Sequence, residues 1–401
     1  METKKTDPVD IIVPVYRGLT ETRRCLESIL EQPQQQPYEL IAIDDASPEP
    51  ELTTYLDELA ANQRLTLLRH AVNKGFVAAA NSGLRLHLER DVVLLNSDTE
   101  VHGNWLDRLA QCAYANKRIG TVTPFSNNAT ICSYPYFCRD NLLPEGLTLA
   151  ELDTLFRRAN AGRWLEIPTA IGFCMYIRRT CLEETGYFDE QQFGFGYGEE
   201  NDFCMRASQK DWRHLLCADT FVYHVGGVSF SDRAAKLQAD AQTTLATLHP
   251  EYPTIIQDFI REDPVRSLRL AVDQERARFS PEQASQVVME QHQVFADLWE
   301  EHALKTSALE KGLREAEGFL SQAWGELRER DQAIIDAQHY VREREADIAS
   351  LEERCHVLQD ALNQAQQNIL LLQQQNQQLN ERLEQIYASR SWRYTKFLRR
   401  S

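Results

Sequence analysis

Several sets of polar residues stand where apolar runs end, and each has a chemistry open to it. Asn96, Ser97 and Asp98 close RDVVLLNSD. An aspartate just past a buried strand, in a turn rich in side-chain oxygens, suits a hard divalent cation, Mg2+ or Mn2+. Such ions take carboxylates together with ligand phosphate oxygens and keep some waters. The same residues equally suit an Asx turn after a strand. Asp44 and Asp45 close YELIAIDD. A carboxylate there can accept from a base N–H or a ribose hydroxyl, or form the turn into Ser47 and Pro48. His224 closes TFVYH, as a neutral imidazole ligand or a satisfied structural residue. Gly226 and Gly227 follow it and let backbone approach a ligand closely.

The stretch GYGEENDFCMR gathers Glu199, Glu200 and Asp202 at the start of an expected helix. The helix dipole favours carboxylates there, which accounts for two of them without any function. Asp202 and Arg206 stand four apart and pair on one face. Glu199 and Glu200 are adjacent and point in different directions, so one of them can face a cleft beside the flexible GFGYG loop. A carboxylate desolvated there, next to another, has a raised pKa and can act as general base toward a hydroxyl.

These residues need strand ends and helix starts to hold them. VDIIVPVY (9–16) reads as a buried strand and TETRRCLESILEQ (20–32) as a helix. YELIAIDDAS is a second strand, LTTYLDELA a helix and RLTLLRH a third strand. NKGFVAAANSGLRLHL is a glycine-bearing loop running into a helix, and RDVVLLNSDTEV a fourth strand. This alternation predicts an α/β fold with a mainly parallel sheet covered by helices on both faces. Ligands bind beyond the carboxyl ends of such strands, which is where Tyr16, Asp44, Asp45, Asn73 and Asp98 fall. Residues 120–163 are irregular and rich in Asn, Pro and aromatics, with a short helix predicted at 149–159. IPTAIGFCMYIRR reads as a strand pair or one long strand.

Beyond residue 281 the composition turns to Glu, Gln, Arg, Leu and Ala. Steps of seven from Thr306 meet Leu313, Leu320, Leu327, Ile334, Val341, Ile348 and on to Leu383, with Asn376 among them. A second series runs from Leu309 to Ile386. This predicts a left-handed coiled coil over 306–388, leaning to two strands and a homo-oligomer, about 120 Å long at 1.5 Å per residue. The last residues, SRSWRYTKFLRRS, mix Arg and Lys with Trp, Tyr and Phe. They suit an anionic membrane surface or an assembly partner.

The chain has 401 residues and a net charge of −17. That charge argues against nucleic acid as a partner. The nine cysteines are odd in number and lack C-x-x-C spacing, which favours free thiols in a reducing cytosol. METKKTDPVD does not read as a signal peptide, and no apolar run approaches a membrane span.

In this order, IIVPVY, IDDAS, NKGFVAAANSGL, VVLLNSDTEV, WLDRL, GYFDE, GYGEENDFCMR and YHVGGVSF resemble the family 2 glycosyltransferases of GT-A fold. They are most similar to bacterial, rhamnosyltransferase-like members of O-antigen and surface-polysaccharide assembly. The resemblance covers about residues 8–270 and implies a metal-dependent inverting hexosyl- or deoxyhexosyltransferase. It would move sugar from a nucleotide-diphospho-sugar to a saccharide or lipid-linked acceptor. By position it implies that Pro14, Val15, Tyr16, Asp44 and Asp45 hold the nucleoside, with Asn73 and Gly75 near it. Asn96-Ser97-Asp98 matches the metal motif, with Asn in place of the first Asp, so Asp98 carries the ligation and His224 completes the site. Arg206 is grouped with the donor-binding residues. Glu199-Glu200 aligns with a Glu-Asp pair whose second member is the base, which makes Glu200 the base, with Glu199 and Asp202 beside it.

The expected organisation is a GT-A domain over 1–270, a helical linker over 271–305, the coiled coil over 306–388 and the tail over 389–401. The expected location is cytoplasmic, peripheral on the inner face of the cytoplasmic membrane. Two other readings stand beside this one. A nucleotide-sugar-binding scaffold would use the coiled coil as a spacer or length control. A nucleotidyltransferase would need a Gly-rich basic triphosphate loop, of which VPVYRGLTETRR supplies little.

Overall fold

The structure is a computed structural model that describes residues 7–226, 234–327 and 333–388. The basic and aromatic tail at 389–401 lies outside the described residues. The strands are β1 (Val9–Val15), β2 (Tyr38–Asp44), β3 (Thr66–Arg69), β4 (Val92–Leu95), β5 (Thr99–Glu100), β6 (Ile119–Phe125), β7 (Trp164–Ile167), β8 (Cys174–Ile177), β9 (Arg213–Phe221) and β10 (Tyr223–His224). The helices of the first half are α1 (Leu19–Glu31), α2 (Pro50–Ala61), α3 (Phe76–Leu84), α4 (Trp105–Ala113), α5 (Leu149–Asn160), α6 (Arg179–Thr185), α7 (Glu190–Phe193) and α8 (Glu199–Ser208). Then come α9 (Ala234–Leu248), α10 (Tyr252–Glu262), α11 (Arg266–Phe279), α12 (Pro281–Leu327) and α13 (Ala333–Ala388).

The main sheet has the order β3-β2-β1-β4-β8-β6-β9-β7. From β3 to β4 every pairing is parallel. The expectation of a mainly parallel sheet fails beyond that point. β8 runs antiparallel to both β4 and β6, and β7 antiparallel to β9, while β6 and β9 are parallel, so the sheet is mixed. The reversal has a structural consequence. An antiparallel β8 begins where β4 ends, and so brings residues 171–173 to the edge that carries Asn96 and Asp98.

Side chains alternate across each strand. On β1, Ile11, Val13 and Val15 join one apolar layer and Ile12 joins the other. The first layer takes α1, α2, α4 and α5, and the second takes α3, α6 and α8. Helix α1 buries Thr22, Cys25, Leu26 and Ile29, the i, i+3, i+4, i+7 stripe of an amphipathic helix. Helix α5 starts on a capping box in which Thr148 and Glu151 satisfy each other's backbone amides. The IPTAIGFCMYIRR stretch contributes the end of β7 and all of β8, with a connection between them that reaches the site.

The chain divides into two compact units, Met1–Trp299 and Glu300–Ser401. The expected division at residue 270 falls inside α11. Leu268, Val272 and Arg276 of that helix are buried, so α11 is part of the first unit's packing. In the second unit, described helix runs continuously on either side of residues 328–332. A coiled coil is not shown by one chain. Leu309, Leu313, Ile348, Leu351 and Leu358 of the heptad series are exposed. All nine cysteines carry free thiols, and all but Cys138 and Cys355 are buried. No helix among the described residues is long and apolar enough to cross a membrane.

Candidate active site

The short β5–β10 ribbon pairs His224 with Thr99 and so sets His224 beside Asp98. Nε2 of His224 lies 3.4 Å from Oδ1 of Asp98. The other ring nitrogen, Nδ1, lies 2.8 Å from the Asn128 carbonyl and must carry a hydrogen to bond it. In the neutral ring that contact fixes the tautomer and leaves the Nε2 lone pair facing Asp98. Nε2 is buried and makes no hydrogen bond, as is Oδ1 of Asn96. Burial opposes protonation of His224, but the Asp98 carboxylate outweighs it and pushes its pKa up. Oδ2 of Asp98 accepts from the Gly226 amide at 3.0 Å, which leaves Oδ1 open. Gly226 has φ +79, and a Cβ there would sit 2.2 Å from Nδ2 of Asn128. Only glycine fits that turn.

This donor set fits a divalent cation. Two ligands at right angles on an octahedral ion, each about 2.1 Å from it, stand about 3 Å apart. Asp98 and His224 are near that spacing, and each presents an atom without a hydrogen bond toward the other.

Helix α8 begins at Gly198 and places Glu199 and Glu200 in its first turn. Glu199 is buried, and its Oε2 has no hydrogen-bond partner. Burial, and then the neighbouring Glu200 charge, push its carboxyl well above the usual range. Glu200 is half-buried. Burial raises its pKa too, opposed by amides of the helix start and by the Asn201 side chain, whose Nδ2 donates to Oε1 at 3.1 Å. The two carboxyls titrate as a pair. Burial, and then Glu200, also push the Tyr252 phenol upward.

Two consecutive residues before β8 join the acid pair to the metal pair. Gly172 flanks Glu200, and a Cβ on it would meet Cγ and Cδ of Glu200 at 3.6 Å. Phe173 stacks on the His224 ring at 5.3 Å, and its carbonyl accepts the Asn96 amide at 2.9 Å. Tyr197 senses the charges of both Glu199 and Asp98. Residues 172 and 173 therefore bring the Asp98–His224 pair and Glu200 into one neighbourhood.

Other anticipated residues are engaged elsewhere. Asp44 accepts from Nε of Arg69 at 2.7 Å and from the Ser47 amide at 2.8 Å. Asp45 accepts from His70 at 2.7 Å and from the amides of Lys74 and Gly75 at 2.9 and 2.8 Å. Oδ1 of Asn73 takes the Gly75 amide at 2.9 Å. These contacts shape the 70–75 turn. Gly75 has φ +89, and a Cβ there would lie 2.8 Å from the Gly194 carbonyl, so this turn abuts the GFGYG loop. Pro14 and Val15 are buried within β1, and Tyr16 is the first residue of that motif to reach the surface. Asp202 is held by Arg206 at 2.8 Å and His249 at 2.9 Å. The rest of the Arg206 guanidinium donates to the Thr185 and Tyr187 carbonyls. Asp202 and Arg206 fasten α8 to its surroundings, and the geometry gives neither a free group for donor or proton.

Residues 10–186 match the family model described as Glycosyl transferase family 2. This stretch is similar to a family 2 glycosyltransferase domain. The chain is 25% identical over 208 residues to the probable N-acetylgalactosaminyltransferase 9 of Caenorhabditis elegans. That alignment covers 49% of this chain and 36% of the relative, so the chain spans well under half of that protein's length. Among solved structures it is similar to GalNAc-T7 with UDP, GalNAc and Mn2+, at 18% identity and TM-score 0.43, over 54% of this chain and 43% of that one. It is also similar to the mannosyltransferase PcManGT from Pyrobaculum calidifontis in complex with GDP-Man and Mn2+. There the identity is 18% and the TM-score 0.45, over 70% of this chain and 78% of that one.

The family 2 match ends before Glu199 and His224, so the placing of the acid pair and of this histidine rests on geometry alone. Asn127, Asn128, Gly172 and Phe173 escaped sequence reasoning. The Asn-rich character of 120–163 was the one signal for the first two. Asn127 accepts the His224 amide at 2.8 Å and donates to the His224 carbonyl at 2.9 Å, clamping the residue from both sides. A second acid–histidine group, Asp10, Glu39 and His87, lies near the N-terminal ends of β1 and β2, away from the strand ends that lead to Asp98. Arg90 occupies it, donating to Asp10 at 3.0 Å and Glu39 at 2.6 Å, which makes it an ion-pair cluster.

Proposed function

We propose that the protein is an inverting glycosyltransferase that uses Mg2+ or Mn2+ and a nucleotide-diphospho-sugar donor. The observation that carries this reading is the half-buried His224, whose Nε2 atom is itself buried. One ring nitrogen is anchored and the other is unpartnered and turned to Asp98, in the site that Glu200 lines. An imidazole in the ligand set favours Mn2+ over Mg2+, whose ligands are almost all oxygen. When bound, the ion would neutralise the diphosphate leaving group. Asp98 and His224 would hold it. Glu200 takes the proton from an acceptor hydroxyl as the hydroxyl oxygen bonds to the anomeric carbon and the bond to the diphosphate breaks. Tyr16 and the 70–75 turn, shaped by Asp45, form the nucleoside side of the cleft, and the GFGYG loop forms the acceptor side.

The motif resemblance supports a saccharide or lipid-linked acceptor in surface-polysaccharide assembly. The exposed heptad leucines support pairing of the C-terminal helices between copies, since a stripe of that length needs a partner to bury against. The basic, aromatic tail supports a membrane-proximal location. The test is a panel of nucleotide-sugars with purified protein and Mn2+, read as release of nucleoside diphosphate. Metal-dependent release from one donor, lost in His224→Ala, is the expected result. No release from any donor, with donor binding intact, would favour the scaffold reading.

A further inference from the structure

The loop from Ser126 to Asn141 is closed by its own hydrogen bonds. The Tyr134 amide donates to the Ser126 carbonyl at 2.9 Å. The amide and the side chain of Asn141 both donate to the Asn127 carbonyl at 3.0 Å, and the Asn127 side chain returns a bond to the Asn141 carbonyl at 3.0 Å. Asn127 and Tyr134 therefore belong to one rigid ring. At one end of it, Asn127 brackets the His224 backbone and the Asn128 carbonyl orients the His224 ring.

At the other end, the buried Tyr134 hydroxyl donates to Oδ1 of Asp273 at 2.7 Å and accepts from Arg276 at 3.0 Å. Arg276 is wholly buried. Its guanidinium forks onto both carboxylate oxygens of Glu290 in α12, at 2.7 and 2.9 Å, and its Nε donates to Gln283 at 3.0 Å. Gln283 and Gln286 both donate to the Glu145 carbonyl. A buried ionic cluster of this kind is rarely worth more than the apolar contact that could replace it. What it adds is a single geometry, because a bidentate fork tolerates little displacement.

We propose that Tyr134 and Arg276 are positioning residues that transmit the seating of α12, through the 126–141 loop, to His224. The Asp98–His224 pair is then fully set for metal only when Glu290 of α12 occupies the Arg276 fork. This rests on reading Asp98 and His224 as metal ligands.

The test uses the full chain and Mn2+ alone, with binding followed by loss of the free Mn2+ signal in electron paramagnetic resonance. Tyr134→Phe keeps the ring and removes the hydroxyl. Glu290→Gln keeps the shape and weakens the fork. Asn127→Ala should weaken Mn2+ about tenfold, and Tyr134→Phe and Glu290→Gln each about threefold, within or just below the range seen when outer partners of metal ligands are removed. Asp10→Asn, which disrupts an ion-pair cluster at the N-terminal ends of β1 and β2, should lower thermal stability and leave Mn2+ affinity unchanged. Unchanged affinity in both Tyr134→Phe and Glu290→Gln, alongside loss in His224→Ala, overturns the coupling alone. Equal weakening in Asp10→Asn also overturns it. Full affinity in His224→Ala overturns the metal reading, and the coupling with it.

Discussion

Two strand ends in the same sheet carry aspartates and differ in what those aspartates have left to offer. At the end of β2, Asp44 and Asp45 accept from Arg69, Ser47, His70, Lys74 and Gly75. At the end of β4, Asp98 keeps Oδ1 open toward His224, and the neighbouring Asn96 has a buried oxygen without a partner. Both sets read alike as strand-end carboxylates. The first shapes a turn and the second is prepared for something the chain does not itself supply. Unpaired buried polar atoms are costly, and a pair of them beside an open carboxylate is accounted for if a ligand completes them.

The largest effect falls at the acid pair, where this criterion needs sharpening. Glu199 has the unpartnered oxygen, but it is buried and holds its proton well above the usual range. Glu200 is only half-buried. Glu200→Gln should therefore lower kcat by about a thousandfold, within the range for removing a general base, with donor affinity nearly unchanged. Glu199→Gln replaces a neutral acid by its neutral isostere and should cost less than about tenfold. Single-turnover rates and donor titrations on both variants check this. A larger loss in Glu199→Gln would move the base to Glu199.

The comparison itself breaks or holds on Asp98→Asn against Asp45→Asn. Asp98→Asn should lose Mn2+ binding and most transfer while the fold stays as stable as before. Asp45→Asn removes the acceptor of a buried imidazole and two amides, and should cost about 3 kcal/mol of stability, seen as a lower urea midpoint. Any Mn2+ binding by the still-folded fraction of that variant should be normal. If Asp45→Asn leaves stability intact and abolishes donor binding, the β2 end is a ligand site and the contrast fails. A smaller test is Gly226→Ala. The new Cβ would meet Asn128 at 2.2 Å, and the displaced His224 should bind Mn2+ about tenfold more weakly.

Much of this was legible from sequence because it is local. Strand ends follow from apolar runs such as VVLL and IIVPV, and Asp44, Asp98 and His224 were found that way. Whether a carboxylate is already satisfied depends on partners remote along the chain. His70 lies 25 residues from Asp45, His249 lies 47 from Asp202, and the Gly226 amide lies 128 from Asp98. No local pattern carries that information: the Asp202–Arg206 pair is legible from its i, i+4 spacing, but the His249, Thr185 and Tyr187 contacts that complete it are not. The direction of β8 was hidden for the same reason. CMYI is an apolar run whether parallel or antiparallel, yet only the antiparallel choice brings Gly172 and Phe173 to the site.

The smallest prediction concerns pH. Burial raises the folded-state pKa of Glu199 above its ordinary 4.5. Between that value and the raised one, the folded chain keeps a proton that the unfolded chain has released. Its stability therefore falls as pH rises through the window. Glu200 shifts in the same direction and adds to the slope. Glu199→Gln removes one of the two titrations without changing shape. Its Tm should match the parent near the bottom of the window and exceed it increasingly as pH rises above the ordinary carboxylate range. Parallel Tm curves would mean that Glu199 is ionised in the folded protein, with a partner for its second oxygen. Glu199 would then belong with Asp44 and Asp45 rather than with Asp98.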